Sequence, residues 1–333
     1  MCQAIRELIE GRRPRRCVLI AELGVNHNGC AQTALQLLHA ARDAGADAAK
    51  LQLFVPGELC SRVHRADEIA MLEPLRLADD QHAAIVAEAA RIGLPLFATP
   101  FDPPSLSLLL HLNIPLIKIA SGEVTHTPFL SAIARTGRPA ILSTGGCTLT
   151  DVDRAVATLR GGGCQALSLL HCVSAYPPPD DELNLRIIPA LARRYPSCPI
   201  GFSDHTLGAE AALAAVSLGA CIIEKHLTLD CAAEGPDHAA SADPAAFAAL
   251  VRGVRRVEAM LGEETKRLLA CEGRIGRSIV AASDLPKGTV LRPEHLAFKR
   301  PGSGLRPHEA GRLLGQTLAQ SVAADEPIPA AIP

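Results

Sequence analysis

Short apolar runs recur along this chain, each followed by a stretch of helical periodicity. They cover residues 17–23, 46–54, 95–99, 115–121, 139–144, 166–171, 199–203 and 220–226. Near-continuous apolar runs of this length suit strands buried on both faces of a parallel sheet. Residues 31–44, 80–92, 103–111, 150–159, 184–194 and 207–218 carry the helical patterns between them. Gly45, Gly93, Gly137 and Gly219 stand where a left-handed residue closes a helix before the next strand. Eight such alternations predict an α/β fold, a closed (β/α)8 TIM barrel. A doubly wound open sheet is the alternative, and it does not need eight units.

Residues 200–226 show the unit most clearly, opening IGFSDHT and closing ACIIEKH around an alanine-rich helix. Parallel strands of one βαβ step end at the same face, so His205 and His226 are expected to meet. The last barrel helix is expected at 244–261, placing the barrel domain at residues 1–262. A charged linker follows at 263–275, then a segment of short strands, a PKGT turn and Pro/Gly punctuation. Residues 276–333 therefore read as a small β-rich domain.

In such barrels the functional groups stand at the carboxyl ends of the strands. Here those ends are polar: Glu22; Lys50 and Gln52; Thr99; Lys118, Ser121 and Glu123; Ser143; His171; Ser203, Asp204 and His205; Glu224 and His226. Lysines within apolar strands are costly unless paired, so each reads either as a structural ion pair or as part of a site. Lys50 and Lys118 with three serines suit a compact, multiply charged anion such as phosphate. Counting by twos along the last strand turns Lys225 away from His226, a structural position. His205 and His226, each beside a carboxylate (Asp204, Glu224), are either core histidines or an open metal site. Two imidazoles suit Mn²⁺ or a similar divalent ion completed by water and substrate oxygens, not a closed zinc site. His27 and His238 are loop histidines, readable as polar gates or as turn chemistry.

Composition narrows the classes. Of 333 residues, 48% are hydrophobic and none is Trp, which gives a large aliphatic core. A formal net charge of −2 argues against nucleic acid and anionic membrane surfaces. The eleven scattered cysteines and an arginine-rich start without an apolar segment predict a soluble cytoplasmic protein.

Together the motifs resemble the sialic acid synthase family, which includes N-acetylneuraminate, legionaminate and pseudaminate synthases. They are AELGVNHNG (21–29), KLQ (50–52), TPFD (99–102), KIASGE (118–123), ILSTG (141–145), LHCVSAYPPP (170–179), GFSDHT (201–206), EKHLTLD (224–230), GPDH (235–238) and KRPGSG (299–304). The C-terminal segment is similar to the antifreeze-like SAF domain that follows the barrel in that family.

The resemblance implies condensation of phosphoenolpyruvate with an N-acylated hexosamine such as N-acetylmannosamine, giving a nine-carbon 2-keto-3-deoxy acid and phosphate. By the same likeness His205 and His226 hold the metal (Mn²⁺, with Mg²⁺ or Co²⁺ as alternatives), and Glu22 faces C2 of phosphoenolpyruvate. Lys50, Lys118, Ser121, Ser143 and Ser203, with Thr99 nearby, match phosphoenolpyruvate-binding positions. Gln52, Glu123, Tyr176 and Asp237 match sugar-facing positions, and Arg300 an arginine delivered by the partner subunit of a domain-swapped homodimer. Two departures concern the sugar. The loop at 55–75 looks short, and Val-Ser-Ala at 173–175 leaves Ser174 to supply the hydroxyl there. The other readings are a metal hydrolase and a non-catalytic sugar-binding protein.

Overall fold

The computed structural model describes residues 3–269, 271–272, 275–300 and 303–329. The chain divides into two compact units, Met1–Gly262 and Glu263–Pro333.

The first unit is a closed parallel barrel in sequential strand order, with the first strand paired to the last. Its strands are β1 (Val18–Gly24), β2 (Ala48–Leu53), β3 (Leu96–Pro100), β4 (Ile117–Ile119), β5 (Ala140–Ser143), β6 (Leu167–Cys172), β7 (Ile200–Asp204) and β8 (Ile222–His226). The helices are α1 (Gln3–Ile9), α2 (Ala31–Asp43), α3 (Pro56–Leu59), α4 (Ala66–Leu72), α5 (Asp79–Ile92), α6 (Pro103–His111), α7 (Thr127–Arg135), α8 (Leu149–Gly161), α9 (Ile187–Arg194), α10 (Glu210–Ser217) and α11 (Pro244–Leu261). None among the described residues is long and apolar enough to cross a membrane.

Two apolar layers follow from the period-two alternation of the strands. Outward side chains such as Leu19, Leu51, Ile119, Phe202 and Ile223 pack under the helices. Inward ones, including Val18, Ile20, Phe97, Ile141, Leu170 and Ile222, fill the lower barrel. There α1 closes the amino-terminal end with Ala4, Ile5 and Leu8, all buried. The arginine-rich start thus carries a plug that its charges mask in the sequence. Helix α7 is a second addition to the sequence reading; it opens on Thr-Pro and buries Phe129, Leu130, Ile133 and Ala134. Between β2 and α5 the expected short loop is two short helices, α3 and α4, and a 3₁₀ turn at Glu73–Leu75.

In the second unit β9 (Ser278–Ala281) pairs antiparallel with β10 (Leu296–Lys299). A separate small core gathers around Ile279, Leu291, Leu313 and Val322.

Candidate active site

Above the apolar layers, the inward positions turn polar within one step of the alternation. Ile20 gives way to Glu22, Ala48 to Lys50, Phe97 to Thr99, Ile141 to Ser143, Leu170 to Cys172 and Ile222 to Glu224. Strand pairing sets Glu22 beside Lys50 on one side and beside His226 on the other. The ring of groups lines a cavity of about 230 Å³.

The two lysines are buried at its floor and share one ionic partner, Glu224. Glu224 Oε1 takes a hydrogen bond from Lys50 Nζ at 3.3 Å and one from Ser203 Oγ at 3.2 Å. Lys118 Nζ lies 3.7 Å from the same oxygen and donates to Ser143 Oγ at 2.7 Å and to the Ile119 carbonyl at 3.0 Å. Lys50 also forms an ion pair with Glu22, whose other oxygen accepts from the Gly24 amide at 2.6 Å. Two ammonium groups therefore face two carboxylates, a balanced cluster with nearly all its charge out of water. Burial pushes Lys50 down to about 8 against the pull of Glu224. Burial pushes Glu224 the other way, but Lys118 and Lys50 prevail and hold it well below the usual carboxylate range.

His205 and His226 open onto the same cavity with ring centroids 5.7 Å apart. His205 Nδ1 lies 2.9 Å from the Val173 carbonyl, which can only accept, so that nitrogen carries the proton and Nε2 keeps its lone pair. Burial lowers His205, yet Cys172 outweighs it and the net shift is upward; Cys172 is correspondingly lowered although its own burial acts to raise it. His226 is pushed by burial to about 4, so its ring is neutral at pH 7. Its Nδ1 is buried without a hydrogen bond, 3.6 Å from Asp237 Oδ2. A Cβ at Gly24, where φ is 50°, would come within 3.3 Å of that ring, so the glycine leaves room for it.

Two imidazoles opening onto one cavity, the His226 ring neutral at pH 7, fit a divalent cation. Among the described residues no three His, Cys, Asp or Glu side chains are grouped to hold one, so most of the shell would come from water and substrate.

The remaining expected residues divide. Gln52, Thr99, Ser121, Ser143, Ser174, Tyr176 and Ser203 all line the cavity. Thr99 Oγ1 is fully buried and unpartnered, a hydroxyl awaiting a ligand atom. Ser121 Oγ accepts from the Gly145 amide at 2.9 Å, and a Cβ at Gly145 would collide with Ser174 Oγ. Tyr176, half exposed, stacks on His205 with centroids 4.0 Å apart.

Glu123 is not on this wall. It sits in a 3₁₀ turn, Ser121–Glu123, and its carboxylate meets His126 Nδ1 at 2.6 Å. Asp237 flanks His226 from outside the cavity lining. Asp204, noted in the sequence as the carboxylate beside His205, points outward and pairs with Lys225, whose outward facing the alternation predicts. Arg300 is exposed in the second unit, and Pro301 and Gly302 of its motif lie outside the described residues. His171 also turns outward, to the Leu183 carbonyl at 2.7 Å. Cys172 is a wall residue that the sequence reading did not single out, and Glu224, noted there only as the carboxylate beside His226, joins both lysines; Cys172 stands two after the inward Leu170 and Glu224 two before His226.

The loop histidines are turn chemistry. His238 Nδ1 meets Thr228 Oγ1 at 2.7 Å, and its Nε2 lies 3.3 Å from Asn28 Oδ1. Asn28 also donates to the Glu234 carbonyl at 3.0 Å, and Asn26 to Ser241 Oγ at 2.8 Å. The loops after β1 and β8 are thereby stitched together beside Glu22 and His226.

A parallel barrel whose mouth gathers ammonium, hydroxyl and paired imidazole groups has the architecture of a barrel enzyme. Residues 37–266 match the NeuB family and residues 276–331 the SAF domain. The chain belongs to the NeuB family and is an enzyme of the sialic acid synthase type. It is 37% identical over 340 residues to N,N'-diacetyllegionaminic acid synthase of Legionella pneumophila, covering 95% of each chain. It is 34% identical over 345 residues to human N-acetylneuraminate-9-phosphate synthase, covering 96% of this chain and 93% of that one. A crystal structure of N-acetylneuraminic acid (sialic acid) synthetase from Leptospira borgpetersenii, in complex with citrate, is similar with a TM-score of 0.74 and 33% identity. It covers 77% of this chain and 89% of that one.

Proposed function

We propose that this protein condenses phosphoenolpyruvate with an N-acylated hexosamine to give a nonulosonic acid and inorganic phosphate. The observation that carries the reading is the buried pair Lys50 and Lys118 facing the same cavity as His205 and His226. Lys50, Lys118, Ser143 and Ser203 would hold the phosphate and carboxylate of phosphoenolpyruvate. Because Glu22 and Glu224 already balance both ammonium groups, an incoming polyanion brings surplus negative charge. His205 and His226 would hold a divalent cation, which would offset that surplus and supply Lewis acidity towards the sugar aldehyde; Mn²⁺ is the proposed ion, with Mg²⁺ or Co²⁺ as alternatives.

Carbon–carbon bond formation runs from C3 of phosphoenolpyruvate to the aldehyde carbon, whose oxygen takes up a proton. Positive charge left at C2 would be stabilised by the Glu22 carboxylate. Water adds at C2, its proton departs, and the C2–O bond to phosphate breaks to leave the 2-keto acid. Tyr176, Ser174 and Gln52 form the wall towards the sugar, with Asp237 behind His226.

The proposal includes a cytoplasmic homodimer in which Arg300 of one subunit completes the partner's site. Arg300→Ala is then expected to raise KM for the sugar more than KM for phosphoenolpyruvate; equal changes in both would remove the in-trans role. The main test measures phosphate released from phosphoenolpyruvate with a panel of N-acylated hexosamines, with and without Mn²⁺, and identifies the product by mass. Release is expected only when sugar and metal are both present. No release with any sugar of the panel overturns the reading.

A further inference from the structure

We infer that the buried Asp204–Lys225 pair is a positioning device that fixes the separation of His205 and His226. The inference rests on the metal reading of those two histidines. Asp204 and Lys225 are register partners on adjacent strands, each one residue before a histidine. Lys225 Nζ donates to Asp204 Oδ2 at 2.7 Å and to the Thr206 carbonyl at 2.7 Å. Asp204 Oδ1 in turn accepts from Thr206 N at 2.9 Å and Thr206 Oγ1 at 2.7 Å. The backbone on both sides of His205 is thus tied to the residue that precedes His226.

Stability alone gives a poor account of this arrangement. Asp204 is 0% exposed and Lys225 2%, and a buried ion pair is commonly no better than an apolar pair of similar volume. The outward positions below them on the same strands, Ile200, Phe202 and Ile223, are apolar and pack into the helical layer. A lysine and an aspartate at the end of such a series bring direction, which apolar side chains lack. Their bonds reach past Asp204, the last paired residue of β7, to Thr206, so they hold the stretch that carries His205 beyond the ladder against β8, where His226 is still paired with Glu22. No side-chain atom of the pair enters the cavity, so Asp204 and Lys225 act on a bound ion only through the histidines.

The test replaces the pair by apolar residues, Asp204→Leu with Lys225→Met, and separately makes Asp204→Asn. Three quantities are read on the full chain: the melting temperature, the affinity for sulfate at the lysine cradle, and the affinity for Mn²⁺ by calorimetry. In the double variant, sulfate affinity is expected to stay close to wild type and the melting temperature to fall only by the cost of the Thr206 groups left unpaired, while Mn²⁺ affinity falls about 10- to 100-fold, the range for groups that orient metal-binding histidines. Asp204→Asn, which keeps an acceptor for Thr206, is expected to lose less. If the double variant does not fold, Asp204→Asn decides by the same ratio of Mn²⁺ to sulfate affinity. Unchanged Mn²⁺ affinity, or parallel losses of Mn²⁺ and sulfate, overturns the inference and leaves the proposed reaction standing. A wild-type protein that binds no divalent ion overturns the metal reading and this inference with it.

Discussion

The two ends of the barrel are built from the same strands and differ in almost every physical respect. At the amino-terminal end α1 presses Ile5 and Leu8 onto Val18, Phe97 and Ile222 in an apolar cluster, with the buried Glu7 of the same helix bonded to Gln3 and to the Arg15 amide. Two residues further along, the inward positions carry two ammonium groups, two carboxylates and two imidazoles around a cavity. Burying charge is costly, whereas burying aliphatic side chains is the main source of stability. One end therefore stabilises what the other needs held in place, and substitutions at the two ends should have separable effects.

The widest separation is expected from His226→Ala. Condensation should be abolished while the melting temperature stays near wild type, because the variant removes a buried ring whose Nδ1 makes no hydrogen bond. Steady-state rates and a thermal melt check both halves, and unchanged turnover would remove the imidazole pair from the mechanism. Next, Lys118→Met should lower kcat/KM by about 10²–10³-fold, the usual loss when a preorganised donor to a charged group is deleted. A loss confined to KM of the sugar would mean that Lys118 does not hold the anion.

At the other end, Ile5→Ala should cost about 2–5 kcal/mol in denaturant unfolding, with kcat per folded molecule retained. Equal damage to both would show that the plug and the mouth are coupled. The smallest effect is that of pH on Lys50, whose folded-state value lies near 8 against an ordinary 10.5. Sulfate, which does not titrate in this range, should bind progressively more weakly as pH rises through about 8. Between about 8 and 10.5 the unfolded chain binds the extra proton, so the contribution of Lys50 to stability rises as anion affinity falls. Affinity that stays flat across this window would show that Lys50 does not contact the anion.

How much of this was legible in the sequence depended on distance from the strands. Lys50, Lys118, Ser143, Ser203 and Glu224 lie within strands, where counting by twos gives the correct face. His205 and His226 followed because parallel strands end together. Glu123 could not be placed by counting, because β4 stops at Ile119 and the 3₁₀ turn brings its carboxylate to His126. Asp204 was judged by its nearness to His205 along the chain, although adjacent residues of a strand point to opposite faces. The plug in α1 stayed hidden because its apolar residues sit beside a run of arginines that dominates the composition. Cys172 was visible by the same alternation, two after the inward Leu170, but carried no signal of a role until its thiol was seen beside His205.

The stitching between Asn26, Asn28, Thr228, His238 and Ser241 has a consequence for anyone redesigning this mouth for another sugar. Segments 25–30 and 228–241 share their hydrogen bonds and would have to be transplanted as a single cassette. Grafting one without its mate would strand the Asn26 amide and the His238 imidazole, both buried, beside the chemistry, where the new specificity was meant to be read.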